Sequence, residues 1–563
     1  MIQRLFLFLS IIFIPVIVFS QSVDEAKTHM YHHRWSSAEE VLQKVIAENK
    51  NNVDAYYWLG ELYMQEKKAA SAKDVFQKGY EQAVNNKLSK KEYPLIYTGL
   101  AHWKLSQGMK EEAAKELEEV LGATKYKNST ALLAAARAHL TTGQGDAKKA
   151  IEYLEKAINR DKKNPALYIA MGDAYRKLLD GANAVSAYRD ALEFKSLNAE
   201  AYYKLGKIYK TQKNDEIYLD RFTKAVEADA NYAPALYELY NYYFYNNDVV
   251  KAKTYMDEYF ENADPSPKHA YMTADYLYLS ENNAKAIAQA EKIIERDGKD
   301  VQPRLYKMIA YCNEKLGDSA TALDFVNKYF EAEKPENYVM KDYELRAKLL
   351  ETVTGKKEEA ASMYEKAVAM AEKDEVKLAY MESIINLYSE MKNSGKEAIW
   401  REKFYTAKEN PTNLDLYYWG IALYTSETYE KADSVFSIYE EKYPEQVFGY
   451  LWRARANAQI DSAMEKGSAV PHYQKLIEVA EKDAEKNVSN LVGAYGYIGA
   501  YKANVEKDFS GSLECFNRIL ELDENNNDAM RYSEILQQWI DKTKTAEEES
   551  DEQKEGGSSS INR

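Results

Sequence analysis

Residues 164–197, NPALYIAMGDAYRKLLDGANAVSAYRDALEFKSL, decide the fold of this chain. The first half of this stretch places apolar and small residues at i, i+3, i+4 and i+7, namely Tyr168, Met171, Gly172 and Tyr175. Residues at that spacing lie on one face of an α-helix. The first half therefore predicts an amphipathic helix.

The second half predicts another helix, because Ala184, Tyr188 and Ala191 fall at i, i+4 and i+7. Asp180 and Gly181 lie between the two patterns and are expected to supply the turn. Two helices of this length cannot bury both apolar faces against each other alone, so further copies must stack on either side. Gly172 and Ala184 let the two backbones approach closely, and Tyr188 fills the space beside them.

The spacing resembles the tetratricopeptide repeat, a unit of 34 residues with an aromatic, Leu-Gly, Tyr, then Ala, an aromatic and Ala. The same unit follows as residues 201–234, AYYKLGKIYKTQKNDEIYLDRFTKAVEADANYAP. The matching positions there are Tyr202, Leu205, Gly206, Tyr209, Phe222 and Ala225. Tyr218 stands where the family has Ala, so we expect this helix pair to be splayed.

One position per second helix, small in all but one, gives a ladder along the chain in which 34 residues is the commonest step and the other steps are longer. The ladder is Ala38, Ala72, Ala113, Ala150, Ala184, Tyr218, Ala252, Ala286, Ala322, Ala360, Ala398, Ala432, Ala469 and Ser512. It predicts an all-α, right-handed superhelical solenoid of about fourteen repeats between residue 22 and about residue 524. The register is weakest near Ala398 and Ala469.

The remaining segments complete the predicted domain organisation. Residues 528–540, DAMRYSEILQQWI, form an amphipathic helix without a partner, as expected of a helix that caps the last repeat. Residues 541–563 have no apolar period and are rich in Glu, Ser and Gly, which predicts a disordered acidic tail. We expect a leader at residues 1–20 and the solenoid with its cap at residues 21–540.

The leader reads as a cleavable signal peptide, with Arg4, an apolar run over residues 5–19 and a junction at Ser20-Gln21. The alternative is an uncleaved anchor, for which fifteen residues containing Pro15 are short of the roughly 20 that span a bilayer. The chain is thus expected to be an exported bacterial family member, soluble in the periplasm. Cys312 and Cys515 are not expected to pair, because both fall within helical patterns of distant repeats.

The composition excludes some classes of function. The chain has 563 residues, of which 45% are hydrophobic and 29% charged, as in globular proteins. A formal charge of −15 argues against binding to nucleic acid, which requires Lys and Arg to neutralise phosphates. Phosphate-loop, nucleophile-elbow and zinc-protease motifs are absent from the sequence, so we expect neither catalysis nor a cofactor.

Two further patterns suit a metal site or a covalent modification. Glu25, His29 and His33 would share one helical face and could ligate a divalent metal, but a polar N-terminal helix explains them better, and no metal site is expected. The tripeptides beginning at Asp318, Asp433 and Asp461 look like Asp-Ser-small acceptors for O-glycosylation, although Asp and Ser are also common near helix starts. The sequence leaves that modification open.

The resemblance implies a binding surface. In tetratricopeptide proteins the second, fifth, ninth and twelfth positions of each first helix line a concave groove. Transferred to this chain, the groove residues are Tyr203, Lys207 and Lys210, then Tyr237, Asn241 and Phe244, then Tyr271, Asp275 and Tyr278, and finally Lys307 and Tyr311. The alternative is that these tyrosines are core residues of a chain with 48 Tyr. The Lys and Asn clamp with which some family members hold a C-terminal carboxylate is absent.

Two functions fit these patterns. The first is a periplasmic scaffold or adaptor that binds a protein or peptide partner of the cell envelope through its concave surface. The second is an accessory protein that binds polysaccharide or peptidoglycan through groove tyrosines. Aromatic rings, amides and carboxylates occur together in the predicted groove and suit either ligand, so the sequence leaves both open.

Overall fold

The computed structural model describes residues 22–558, with the backbone alone for residues 547–558. Within this part of the chain the structure contains helices and no strand. Two compact units divide the chain, unit 1 at Met1–Asp300 and unit 2 at Val301–Arg563. In each unit, consecutive helices form pairs that stack on the pairs next to them.

Unit 1 contains eight pairs. Its helices are α1 (Val23–Tyr31), α2 (Trp35–Glu48), α3 (Val53–Gln65), α4 (Ala69–Asn85), α5 (Pro94–Ser106), α6 (Lys110–Ala123), α7 (Ser129–Thr141), α8 (Ala147–Ile158), α9 (Pro165–Lys177), α10 (Gly181–Phe194), α11 (Ala199–Thr211), α12 (Asp215–Ala228), α13 (Ala233–Tyr245), α14 (Val249–Asn262), α15 (Pro267–Leu279) and α16 (Asn283–Asp297).

Unit 2 contains six pairs and a final helix. Its helices are α17 (Arg304–Leu316), α18 (Ser319–Ala332), α19 (Met340–Glu351), α20 (Lys357–Met370), α21 (Asp374–Glu390), α22 (Ser394–Ala407), α23 (Asn413–Thr425), α24 (Tyr429–Lys442), α25 (Val447–Ile460), α26 (Val470–Ala480), α27 (Ala484–Tyr501), α28 (Phe509–Leu522) and α29 (Asn527–Ser558). We number the pairs 1 to 14 along the chain, so that pair 6 is α11–α12.

The all-helical, paired fold confirms the sequence prediction. Each ladder residue lies in the second helix of its pair, except Ala469, which is the residue before α26. Ala398 and Ala469, where the register was weakest, are both buried. The spacing of the ladder residues therefore located every pair in the described chain.

A glycine facing a large ring explains how the helices of a pair approach. A methyl group on Gly172 would lie 2.3 Å from Cε1 of Tyr188, whose side chain is fully buried. The same arrangement joins Gly60 to Phe76 and Gly206 to Phe222. Since real Cβ atoms do not approach other atoms so closely, only glycine fits these contacts.

The turn inside pair 5 differs from the prediction. Asp180 does cap α10, because its carboxylate accepts a hydrogen bond from the backbone N–H of Asn183. Gly181, however, is the first residue of that helix, so its assignment to the turn is wrong. The left-handed residue is Leu179, with φ of 62°, and the residues in that conformation recur every 34 positions at Leu179, Lys213, Asn247 and Glu281. The turn is set by the repeat geometry, which forces a leucine into a conformation that glycine adopts more easily.

The expectation that pair 6 is splayed is also wrong. Its two helices contact each other as extensively as those of pair 5. Tyr218 projects its ring towards the next pair instead, 5.8 Å from the ring of Phe222 and 5.7 Å from that of Tyr242. Phe222 packs against Gly206 as Tyr188 packs against Gly172 in pair 5, so the close contact of the two helices is kept.

Helix α29 closes the hydrophobic surface of pair 14. Ala529 and Leu536 are buried and belong to the same hydrophobic cluster as Phe516 and Ile519 of α28. The structure continues α29 to Ser558, whereas the sequence predicts a cap that ends at residue 540 and a disordered tail. The segment beyond residue 540 contains Glu, Lys, Gln and Ala, which are good helix formers and favour the longer helix.

Three other sequence predictions concern the termini and the cysteines. Cys312 and Cys515 are both buried and free, as expected. The predicted signal peptide lies at residues 1–20, outside the described residues. Within residues 22–558, no helix combines the length and apolar character that crossing a bilayer requires.

Candidate binding groove of unit 1

The first helices of unit 1 form its inner face. Helix α3 contacts α1 and α5, α7 contacts α5 and α9, and α13 contacts α11, whereas second helices of neighbouring pairs make fewer such contacts. First helices therefore lie closer together than second helices, which makes the first-helix side concave. Helices α11 and α13, which carry predicted groove positions, contact each other in the same way.

Pair 1 closes part of this concave side by contacting the turns that follow α12 and α14. Nε2 of His32 lies 2.8 Å from Oδ2 of Asp229, and the ring of Tyr31 lies 5.1 Å from that of Tyr232. Asp264 accepts hydrogen bonds from the backbone N–H groups of Ser36 and Ser37, at 2.7 and 3.2 Å, and from the Ser37 hydroxyl. A carboxylate 228 residues away in the sequence thus caps the first turn of α2.

Between pair 1 and the first helices lies a cavity of about 640 Å³. Residues of α1, α2, α3, α7, α9 and α11 line it, together with Tyr232 before α13. Six of its lining side chains are Lys or Arg and two are Asp or Glu, the reverse of the balance in the chain as a whole. The basic residues are Lys27, Lys67, Arg137, Arg176, Lys204 and Lys207.

The lysines predicted as groove residues on α11 are already paired. Nζ of Lys207 lies 2.7 Å from Oε1 of Glu238, and Nζ of Lys210 lies 2.5 Å from Oε2 of the same carboxylate. Burial would raise the pKa of Glu238, but the hydrogen bonds from the two ammonium groups outweigh it and hold the pKa below its ordinary value. Lys207 and Lys210 thus tie α11 to α13, and each shares its charge with a buried carboxylate instead of presenting it alone.

A second ion pair ties α9 to α11. Nζ of Lys204 lies 2.7 Å from both carboxylate oxygens of Asp173, and the hydroxyl of Tyr188 donates to the same carboxylate at 2.7 Å. The Tyr188 ring that fills the gap beside Gly172 therefore also anchors a polar group of the inner face. Asp173 is a groove position whose charge is balanced within the protein.

A series of buried hydrogen bonds links three first helices, α3, α5 and α7. Nδ1 of His102 on α5 lies 2.9 Å from Oε1 of Glu61 on α3, and its Nε2 lies 2.8 Å from the hydroxyl of Thr141 on α7. The imidazole and the carboxylate are almost inaccessible to solvent. These hydrogen bonds satisfy polar groups that would otherwise be costly to bury and hold Thr141 at the cavity wall.

The aromatic groove positions divide between the cavity and a separate ring cluster. Tyr203 lines the cavity and packs against Phe222 and Tyr232, and burial raises its pKa to about 12. Tyr237 and Phe244 on α13 are half-buried, and both pack against the ring of Tyr240. Asn241 is half-buried on the same helix.

Lys268 joins this ring cluster and was missed by the sequence analysis. Its Nζ lies 2.9 Å from the centroid of the Tyr237 ring and 5.3 Å from that of Tyr259, as in a cation–π contact. Desolvation lowers its pKa to about 8. Lys268 is the second residue of α15 and hence a groove position of the same register, so the sequence contained the signal.

The other predicted positions do not all join this surface. Tyr271 on α15 is buried, and its hydroxyl donates to Asp297 at 2.7 Å, so it belongs to the core. Asp275 and Tyr278 are half-buried on the same helix. Lys307 and Tyr311 belong to unit 2, where Nζ of Lys307 lies 2.8 Å from Oδ1 of Asp342.

The N-terminal histidines serve the contacts of pair 1. His33 packs against the rings of Trp35 and Tyr232. Within the described residues no group of three His, Cys, Asp or Glu side chains could hold a metal ion. The expectation that the chain needs no metal stays a prediction.

Comparison with known proteins gives matches to tetratricopeptide repeats. One family model of this repeat matches residues 30–91, and a second matches residues 98–165. No curated protein matches the chain.

Three of the solved structures that match are also tetratricopeptide proteins. The C-terminal part of a repeat-containing protein from Cytophaga hutchinsonii is 29% identical over 46% of this chain and 98% of its own, with a TM-score of 0.29. A protein from Parabacteroides merdae is 21% identical over 46% and 98%, with a TM-score of 0.33. YrrB, described as having an unusual peptide-binding site, is 22% identical over 36% and 98%, with a TM-score of 0.22.

Proposed function

Because the chain belongs to the tetratricopeptide-repeat family, we propose that it is an exported scaffold that binds an extended peptide segment of a partner protein. The proposed binding surface is the first-helix face of pairs 7 and 8, on α13 and α15. The scaffold brings partners together and performs no catalysis of its own.

The ring cluster on α13 and α15 is the observation that carries this proposal. Tyr237, Phe244 and Lys268 lie on the concave side, and none of them is fully buried. Aromatic rings offer large contact areas at low entropic cost, and Asn241 beside them can hydrogen-bond a peptide backbone. Such rings contribute less to stability when half-buried than when enclosed in a core, so a partner that covers them gains the remaining burial.

The leader supports the exported location. An apolar run over residues 5–19 follows Arg4 and ends at a small residue, Ser20, which is the pattern of a cleavable signal peptide. The proposed partner is therefore a protein of the bacterial cell envelope.

Site-specific photocrosslinking tests the binding surface. We would place p-benzoylphenylalanine at Tyr237 and, as a control, at Tyr532 on α29, which is 41% exposed in unit 2. Both proteins would be expressed in the native host and irradiated. We expect a discrete crosslinked protein from position 237 and not from position 532, with mass spectrometry identifying the attached peptide.

A pair of alanine variants tests the same surface without a crosslinker. Tyr237→Ala with Phe244→Ala should weaken binding of the identified peptide by at least about tenfold. Tyr271 is left intact because it is a core residue. Crosslinking from position 532 alone, or unchanged binding by the double variant, would place the partner elsewhere on the chain.

A further inference from the structure

We propose that the cavity of unit 1 is a binding site for a small organic anion, one that carries carboxylate or phosphate groups beside a ring or another apolar body. This site is separate from the peptide surface on α13 and α15. Four features support this proposal: the size of the cavity, its partial closure by pair 1, its two arginines without a carboxylate partner and its aromatic walls.

Size and closure favour a small ligand over a folded partner. The volume of about 640 Å³ falls within the range of small-molecule pockets, roughly 300–1,000 Å³. Pair 1 lies across the concave side, fastened by the contacts of His32 with Asp229 and of Ser36 and Ser37 with Asp264. A cavity of this volume is too small to hold a folded domain.

The charge of the wall favours an anion. Of the cationic side chains, Lys204 and Lys207 have carboxylate partners on the inner face, Asp173 and Glu238. Arg137 and Arg176 form no ion pair with a carboxylate of the described chain, and the Arg176 guanidinium hydrogen-bonds the Tyr188 hydroxyl. They occupy the ninth position of α7 and the twelfth position of α9, both inner-face positions of the repeat.

Guanidinium groups that line a cleft and have no carboxylate partner form an effective anion site. Arginine presents a planar fork of donors that matches carboxylate and phosphate geometry. A concave wall with an excess of one charge also concentrates the field within it, so an anion is attracted despite the net charge of −15 on the chain.

The remaining wall is aromatic. Trp58 of α3, Tyr203 of α11 and Tyr232 before α13 line the same cavity. Trp58 and Tyr203 are partly exposed and supply apolar surface against which a ring can stack, while the arginines hold its anionic substituents. A purely inorganic ion would leave this surface unused.

Calorimetric titration of the full chain tests the site. The probes are benzene-1,3-dicarboxylate and phenyl phosphate, with the uncharged benzene-1,3-dicarboxamide as the matched control ligand. We expect saturable binding of at least one anion and none of the diamide. The relative affinities of the two anions distinguish a carboxylate ligand from a phosphate ligand.

Two double variants assign the binding to the cavity. Arg137→Gln with Arg176→Gln should weaken binding by at least about tenfold, whereas Arg137→Lys with Arg176→Lys should retain part of it. Arg160→Gln with Arg189→Gln removes the same charge from exposed positions outside the cavity and should leave the affinity unchanged.

Three results would overturn the proposal. The first is the absence of saturable binding by both anions. The second is an equal loss of anion affinity in the Arg137/Arg176 and Arg160/Arg189 variants. The third is binding of the acidic peptide acetyl-Asp-Glu-Glu-Asp-amide in place of the small anions. The last result would make the cavity a peptide site. Failure of the small-anion site would leave the crosslinking test of α13 and α15 unaffected.

Discussion

At the scale of single residues, the glycine–ring contact sets the distance between the helices of a pair. Gly172→Ala would place a methyl group 2.3 Å from Cε1 of Tyr188, which is fully buried and fixed by its hydrogen bond to Asp173. We expect a loss of about 1–3 kcal/mol in local stability. Hydrogen exchange with mass spectrometry should show it as faster exchange confined to pair 5 and its neighbours.

Gly181→Ala is the matched control for that substitution. A methyl group there meets nothing within 4 Å, and Gly181 is the first residue of α10. Exchange should be unchanged or slightly slower, since alanine is the better helix former. Equal destabilisation by both substitutions would show that the Gly172 contact is not what holds the pair together.

The Glu238 carboxylate between Lys207 and Lys210 predicts a pH dependence. Its pKa is lower in the folded protein than its ordinary value of 4.5, so its stabilising contribution is present above that value and is lost as pH falls through the folded pKa. We expect Glu238→Gln to destabilise α11 and α13 at neutral pH and to flatten their loss of stability on acidification. Hydrogen exchange at a series of pH values, corrected for intrinsic rates, measures this. Glu216→Gln, at an exposed position on α12, is the control. If Glu238→Gln lost stability on acidification as steeply as the wild type, Glu238 would not be the source of this pH dependence.

At the scale of the helix pair, Tyr218 shows how a departure from the repeat pattern is accommodated. Its ring contacts Phe222 and Tyr242 without separating α11 from α12. Although Ala is the family's residue at this position, we expect Tyr218→Ala to lower the stability of pair 6 by about 1–2 kcal/mol, because two ring contacts are lost. Urea unfolding followed by exchange in α12 would measure it. A stabilised pair 6 would mean that the tyrosine strains the contact between α11 and α12.

The same scale shows what the sequence could predict. The pairs were located because residues like Gly172, Ala184 and Tyr188 recur at spacings set by the helix itself. This pattern depends only on contacts within one pair, so the sequence is enough to recognise it. The turn in pair 5 was misassigned because Leu179 adopts a left-handed conformation that its residue type disfavours. Tyr271 was placed in the groove by register, yet its position near Asp297 buries it.

At the scale of unit 1, the contact of pair 1 with distant turns could not be predicted from the sequence. Ser36 and Asp264 are 228 residues apart, and their approach depends on the accumulated rotation of several pairs. The two arginines of the cavity without a carboxylate partner were missed for a related reason. Arg137 and Arg176 occupy groove positions of the register, but only the closed unit shows which cations already have partners.

The cap that Asp264 provides to α2 predicts a long-range effect. Asp264→Ala removes the acceptor of three hydrogen bonds to Ser36 and Ser37. We expect the free energy of local opening of α1 and α2 to fall by about 0.5–2 kcal/mol, which makes their exchange faster. Exchange in pair 5 should change little. As a control, Asp180→Ala removes a cap within its own pair and should affect α10 instead. Unchanged exchange in α1 and α2 would show that pair 1 does not depend on this contact.

The central claim is that partners bind the first-helix face of unit 1 and that the second helices support it. A hydrogen-exchange footprint of the crosslinked partner peptide, bound to the full chain, tests this most directly. The account predicts slower exchange in α13 and α15 with unchanged exchange in α14 and α16. Protection confined to second helices or to α29, with α13 and α15 unchanged, would contradict it.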